Sequence, residues 1–270
     1  MGFPNKLKIN EITGKDNAKI KLLKQLGMKK YRDESGKFLV ENAVMIHDAA
    51  KAGIVFDSIF VTEDFAERNR EIFDSIVDRS KAREYYLIDE KINRSFSSLD
   101  TAPGIAAVYS KPENKIDLAK PVVYLNAIND PGNLGTILRS ALAFGLKNIV
   151  IDEHSADIYN PKTISAAKDA IFKLNVEFDK EQKILKEIKK IMPIISTRLE
   201  KSSGLDILKR QKVLGIVLGS ESHGVDIKIQ NLSDDFIRIP MSNEIESLNV
   251  ASSAAIIFNE MYKNAQSVND

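Results

Sequence analysis

The 270-residue chain contains no cysteine, which excludes a disulfide framework and any thiolate metal site. Its three histidines, His47, His154 and His223, are scattered without the paired spacing of a metal-binding helix. No stretch approaches the roughly 20 apolar residues needed to span a bilayer. The opening MGFPNKLKIN has no apolar run of the secretory kind. A soluble cytoplasmic protein with no metal and no membrane partner is expected. The usual nucleotide signatures are missing too. Gly132 and Gly135 are not followed by Gly-Lys-Ser/Thr, so they make no P-loop, and there is no Gly-x-Gly-x-x-Gly. SESHG at 220–224 falls short of a hydrolase elbow, because Ser220 stands where Gly-x-Ser-x-Gly needs its first glycine. There is no internal repeat.

What is present is a chain with 43% hydrophobic residues, enough for one large domain or two ordinary ones. The net charge of +1 is unevenly divided. Residues 1–37 carry ten basic and four acidic side chains, leaving 29 basic and 34 acidic ones elsewhere. A basic end of this kind suits a polyanion, and Lys21, Lys24, Lys29, Lys30 and Arg32 are its candidate RNA-binding residues. A solvated lysine-rich helix would look the same.

Residues 1–112 alternate α and β. NAKIKLLKQL is an amphipathic helix, FLVENAVMIHDAAKAG a strand running into a helix stopped by Gly53, and DSIFVTED and EYYLIDE are strands around a helix near 65–78. KPENKIDLAKP breaks the periodicity and marks a domain boundary. From 118 to 270 the alternation restarts. PVVYLNAI, KNIVIDEH, MPIISTRL, VLGIVLGSE and FIRIPM read as strands. LGTILRSALAFG, SAAKDAIFKL and SLNVASSAAIIFNEMYK read as helices. Apolar strands separated by helices predict a parallel sheet covered on both faces, with ligands gathering at the carboxyl ends of its strands.

Three strand ends carry unusual residues. In NDPGN, Asn133 can serve as a plain helix cap. Arg139 is harder to explain. It falls among Ile137, Leu138, Ala141 and Leu142, where an arginine wants a phosphate or carboxylate partner. In GSESHG, Glu221 can be an ordinary loop residue. In MSNEIESLN, Ser247 can cap the last helix.

Together, NDPGNLGTILRSALAFG, LGSESHGV and IPMSNEIESLNVASSAAI resemble the signature motifs of the SpoU (TrmH-like) RNA ribose 2'-O-methyltransferases of the SPOUT superfamily. ITGKDNAKIKLLKQL and GKFLVENAVMI resemble the ribosomal-protein-like RNA-binding domain that often precedes this catalytic domain. The resemblance implies a C-terminal parallel sheet with a deep trefoil knot, S-adenosyl-L-methionine as cofactor, homodimers, and an interface on the closing helix at Ile256, Ile257 and Phe258. By position, Gly219, Ile239 and Leu248 would contact the cofactor, with Gly219 sparing room for its approach. Arg139 would grip a phosphate and steady charge on the ribose oxygen. Asn133 and Asn249 would orient the hydroxyl and loops. Glu221 would fix Arg139 or receive the proton, and Ser247 would hold the loop or substrate. Ribosomal RNA is expected as the substrate. A transfer-RNA 2'-O-methyltransferase, an enzyme methylating a base nitrogen, and a non-catalytic RNA-binding or ribosome-assembly factor are the alternatives. Asn243 stands where relatives commonly have glycine, Ser165–Asp169 where they often have Arg-Ala-Ser-x-Gly, and Asn42 follows Glu41 where glycine is usual.

Overall fold

The computed structural model describes residues 8–80, 82–242, 244–245 and 247–266. Lys6 and Asn243 lie outside the described residues. The chain divides into two compact units, one of residues 1–112 with 159–165 and one of 113–158 with 166–270. Each is described by itself.

The first unit runs β1 (Ile9–Ile12), α1 (Ala18–Gln25), α2 (Lys29–Ser35), β2 (Lys37–Val40), α3 (Ala43–Lys51), β3 (Ser58–Val61), α4 (Glu63–Arg68), α5 (Arg70–Arg79), β4 (Glu84–Ile88), α6 (Glu90–Phe96) and β5 (Ile105–Ser110). Its five strands lie in the order β1-β4-β3-β5-β2. β1, β4 and β3 are parallel, and β5 is antiparallel to both β3 and β2. Ile20, Leu23 and Leu26 of the α1 region pack with Ile92 and Phe96 of α6 on Ile12, Phe60, Tyr86, Ile88 and Val108 of the sheet. The helix expected near 65–78 is two helices, because Asn69 breaks the ladder with φ −117° and ψ 38°. Gly53 follows α3 at φ 74°, a left-handed stop that glycine adopts freely.

The second unit runs β6 (Val122–Leu125), α7 (Pro131–Ala143), β7 (Asn148–Asp152), the end of α8 (Pro161–Ala167), a 3-10 turn (Lys168–Phe172), β8 (Asn175–Asp179), α9 (Lys183–Ile191), β9 (Ile194–Thr197), β10 (Gly215–Leu218), α10 (Ile227–Gln230), β11 (Asp235–Ile237) and α11 (Val250–Gln266). The sheet order is β11-β9-β10-β6-β7-β8, and every pairing is parallel. Strands such as VVYL and GIVL are buried at all four positions, as a sheet covered on both faces requires. One face packs Val122, Tyr124, Val150, Ile194 and Val217 against Leu185, Ile188 and Ile229. Connections from β6 run toward β8, whereas β8 to β9 runs back. Right-handed crossovers therefore set α7 and α9 on opposite faces. α7 packs on α11.

SAAKDAIFKL is not one helix. α8 ends at Ala167, Lys168 turns left-handed at φ 54°, and a 3-10 turn follows. Tyr124 is buried, and its hydroxyl donates to Asp179 Oδ2 at 3.2 Å. Burial, reinforced by the Asp179 and Asp152 carboxylates, pushes its pKa far above the ordinary phenol range.

The direction of travel reverses between β6, whose chain continues to β7, and β10, whose chain continues to β11. This is a topological switch point, and ligands in open α/β sheets collect outside the strand ends there.

Candidate active site

The loop after β10 is a tight hairpin. Ser220 and Gly224 exchange backbone hydrogen bonds at 3.1 and 2.9 Å. A Cβ on Gly219 would lie 2.2 Å from the carbonyl carbon of Gly224 and 2.3 Å from its oxygen. The glycine is therefore required by the chain's own backbone, and the room it makes is for this hairpin.

The hairpin presents Glu221 to two other loops. Its Oε1 accepts from Asn133 Nδ2 at 3.1 Å, from Asn249 Nδ2 at 2.6 Å and from the Val250 N–H at 3.0 Å. Asn249 Nδ2 also donates to Asn133 Oδ1 at 3.0 Å. One carboxylate thus joins the three strand-end segments that the sequence singles out.

Asn133 is free for this because it is not the cap of α7. Asp130 holds that position, its Oδ1 accepting from the Asn133 N–H at 2.7 Å, with Pro131 in the first turn. Nor does Ser247 cap α11. Asn249 Oδ1 does so, accepting from the N–H groups of Ala251 at 2.9 Å and Ser252 at 3.3 Å.

Beside this cluster lies a cavity of about 530 Å³. Its walls are the loops after β9, β10 and β11 together with the start of α11, and Gly219, Glu221, Ile239, Ser247 and Leu248 all line it. Leu218, Val225, Ile237 and Ile257 make much of the lining apolar. A volume of this size, apolar with a few polar groups, suits a cofactor of S-adenosylmethionine's dimensions. The backbone at 219–225 and at Ile239, Met241, Ser247 and Leu248 could hold it.

Arg139 is placed differently from expectation. Ile137, Leu138 and Ala141 are buried, whereas Arg139 shares the exposed side of α7 with Thr136 and Ala143. It does not line the cavity, and it makes no ion pair with Glu221 among the described residues, so Glu221 does not fix it. Ile257 and Phe258 are 1% and 0% exposed inside their own unit, which leaves Ile256 as the exposed member of the expected interface trio.

The basic residues also separate. Lys21, Lys24, Lys29 and Lys30 are exposed. Arg32 is 2% exposed and its Nη1 donates to the Leu26 carbonyl at 2.8 Å. Its guanidinium is committed to the fold, which removes it from the RNA-binding set.

One wall of the cavity has no counterpart in the sequence reading. Arg198 lies 3.5 Å over the Phe236 ring and donates to the carbonyls of Glu200 at 2.8 Å and Lys201 at 2.5 Å. It shapes the loop after β9, which lines the cavity through Thr197, Arg198, Leu199 and Glu200. The signal available was an arginine directly after a strand.

The second unit is a parallel α/β domain with a cofactor-sized cavity outside β9, β10 and β11 and a carboxylate–amide cluster on its rim. Residues 120–259, more than half of the chain, match the model of the SpoU rRNA Methylase family, and residues 17–107 match that of the MRM3-like substrate binding domain. The chain belongs to the SpoU rRNA methylase family. It is 28% identical over 250 residues to the 23S rRNA (guanosine(2553)-2'-O)-methyltransferase RlmP of Bacillus subtilis, covering 92% of this chain and 98% of that one. It is 26% identical to the 23S rRNA (uridine(2479)-2'-O)-methyltransferase of Streptomyces viridochromogenes, covering 87% of this chain and 85% of that one. The fold matches the AdoMet-bound rRNA methyltransferase from Sinorhizobium meliloti with a TM-score of 0.81 at 21% identity, over 94% of this chain and 98% of that one.

Proposed function

We propose that this chain transfers a methyl group from S-adenosylmethionine to a ribose 2'-hydroxyl in ribosomal RNA. The observation that carries the reading is the junction of Asn133, Glu221 and Asn249 on the rim of the cavity lined by Gly219, Ile239 and Leu248. The relatives named as 2'-O-methyltransferases of 23S rRNA support the substrate class.

Bound in the cavity, S-adenosylmethionine supplies a methyl group on a sulfonium leaving group. The task left to the protein is to align a weak nucleophile and to remove its proton. Alignment of this kind is worth about 7–11 kcal/mol. Asn133 and Asn249, locked by Glu221, are rigid amides on which a ribose hydroxyl can be oriented. Glu221, which lines the cavity, serves as the acceptor for the proton, through water. Ser247 holds the loop between β11 and α11.

Arg139 acts as a cation that grips phosphate and steadies the oxygen as charge grows there. Its position outside its own chain's cavity supports a homodimer in which it serves the site of a second copy. The exposed Ile256 and Tyr262 on α11, 39% and 43% accessible, support an apolar contact of this kind. The reading includes the trefoil knot implied by the family resemblance; three successive strand-end loops walling one cavity support it. Residues 1–112 act as the RNA substrate-binding domain, through exposed Lys21, Lys24, Lys29 and Lys30, and residues 118–270 as the catalytic domain. The place of action is the cytoplasm, where ribosomal RNA is found.

The test is mass-spectrometric mapping of ribose methylation in ribosomal and transfer RNA from cells with and without the gene. One ribosomal methylation should disappear on deletion, return with the wild-type chain and stay absent with Arg139→Ala. No lost methylation, or full rescue by Arg139→Ala, overturns the reading or the role given to Arg139, respectively.

A further inference from the structure

Behind the rim cluster lies a second, buried polar group that the chemistry above does not use. Asn126 follows β6 and is 3% exposed; Asp152 ends β7 and is 7% exposed. Register sets them side by side, since Leu125 pairs with Ile151. Asn126 Nδ2 donates to Asp152 Oδ2 at 2.8 Å, and Asn126 Oδ1 accepts from the Asp226 N–H at 2.8 Å. Asp152 Oδ1 accepts from the Ala127 N–H at 3.0 Å and from the Ser155 hydroxyl at 2.7 Å. The Ser155 oxygen accepts in turn from the Ile128 N–H at 2.9 Å.

These bonds occupy the backbone donors of the turn that leads into α7. That turn is strained, because Ala127 sits at φ 54°, a region that side-chain-bearing residues seldom enter. Strain of this kind persists where surrounding structure over-determines it, and it clusters at functional sites. Two residues past Ile128, Asp130 caps the helix that carries Asn133. At the other end, Asp226 belongs to the segment that carries Glu221. Asn126 therefore ties the loop after β6 to the loop after β10.

We infer that Asp152, acting through Asn126, Ala127 and Ser155, is a positioning residue for methyl transfer. It sets the turn at 126–130 against the β10 hairpin and so keeps Asn133 in register with Glu221. The inference rests on the methyltransferase reading above.

The hydrogen-bond polarity supplies the test. In Asp152→Asn, an amide nitrogen meets a donor, and turning Asn126 to relieve this points its own amide at the Asp226 N–H. In Asn126→Asp, two carboxylates face each other. In the double variant Asn126→Asp/Asp152→Asn all the bonds return with the pair reversed. The new amide donates to the new carboxylate and accepts from Ala127 and Ser155, and the carboxylate still accepts from Asp226.

The full-length chain is assayed with tritiated S-adenosylmethionine on deproteinised ribosomal RNA from cells lacking the gene. Affinity for S-adenosylhomocysteine is measured by calorimetry and Tm by scanning. Each single variant should lose about tenfold or more in kcat, since small misplacements at reacting groups are costly. Its affinity for S-adenosylhomocysteine should stay within about threefold, and the double variant should regain kcat. Single variants with unchanged kcat beside an active wild type overturn the positioning role alone. So does a loss shared equally by kcat, affinity and Tm. A wild type that binds neither ligand nor RNA and transfers no methyl group overturns the reading and the positioning role together.

Discussion

Asn249 donates its side-chain amide to Oε1 of Glu221 at 2.6 Å across 28 residues of sequence. The same oxygen takes Asn133, 88 residues away, and the Val250 N–H. Charge-assisted hydrogen bonds are roughly twice as strong as neutral ones, so a carboxylate is a better clasp here than an amide would be. Glu221 is exposed, and water can replace it for the three donors. Its removal should therefore barely touch stability while it releases both asparagines. Glu221→Ala should cost about 10²-fold in kcat/KM and Glu221→Gln about tenfold, in line with the cost of misplaced reacting groups. Tm should change little. An Ala variant that keeps half of wild-type activity would remove the clasp from the mechanism.

Gly219→Ala should fail for a different reason. Its Cβ would overlap Gly224 and Val225 backbone atoms at 2.2–2.3 Å, and backbone cannot rotate aside as a side chain can. Overpacking typically costs about 1–3 kcal/mol. At about 2–4 °C per kcal/mol for a chain of this size, Tm should fall by several degrees, with loss of S-adenosylhomocysteine binding in calorimetry. An unchanged Tm would show that the hairpin can open without penalty.

The parallel sheet was legible because its strands are short, continuous apolar runs between helices, and burial on both faces leaves that mark. The three motifs were legible because each pairs a turn with residues that a turn does not need. What escaped depends on contacts between distant segments. β1, INEI, has two polar residues at its centre and becomes a strand only by pairing with β4. α9, KILKEIKKI, has the helical period, yet it is passed over between SAAKDAIFKL and MPIISTRL. The choice of Asp130 over Asn133 as cap depends on where the helix starts, a boundary that periodicity leaves loose. Arg32 and Arg139 were told apart by burial alone. Asn126 and Asp152 look like ordinary polar ends of apolar strands until register brings them together.

Alkaline pH should weaken the fold through its tyrosines. Tyr124 and Tyr109 are held far above the ordinary value of 10.0, chiefly by burial, and Tyr85 and Tyr86 are raised for the same leading reason. A phenol with a raised folded value stays protonated in the native state after the unfolded chain has begun to ionise. The stability it contributes is complete below about pH 10 and is lost as pH rises beyond it, by about 1.4 kcal/mol per pH unit for each such group. Tm should be flat from neutrality to about pH 9 and then fall steeply. Tyr124→Phe should lower Tm at neutral pH, by removing the bond to Asp179, and flatten the alkaline fall. An equally steep fall in that variant would place the alkaline sensitivity elsewhere.

The basic end of the chain makes a prediction that separates RNA contact from folding. Lys21 and Lys30 pair with Asp16 at 3.7 Å and Glu34 at 3.8 Å. Such exposed pairs contribute about 0–1 kcal/mol, so Tm should survive replacement of Lys21, Lys24, Lys29 and Lys30 by glutamine. Each lysine that neutralises a phosphate adds about 0.7–0.9 to the slope of log affinity against log salt. The fourfold variant should therefore bind ribosomal RNA with a slope shallower by about 3. Arg32→Ala should do the reverse. It leaves the buried Leu26 carbonyl without its donor, at about 1–3 kcal/mol, so Tm falls while the salt slope of the folded protein holds. If the four lysines can be removed with the slope intact, RNA is held by some other face; if Arg32→Ala flattens the slope at unchanged Tm, the guanidinium reaches phosphate after all.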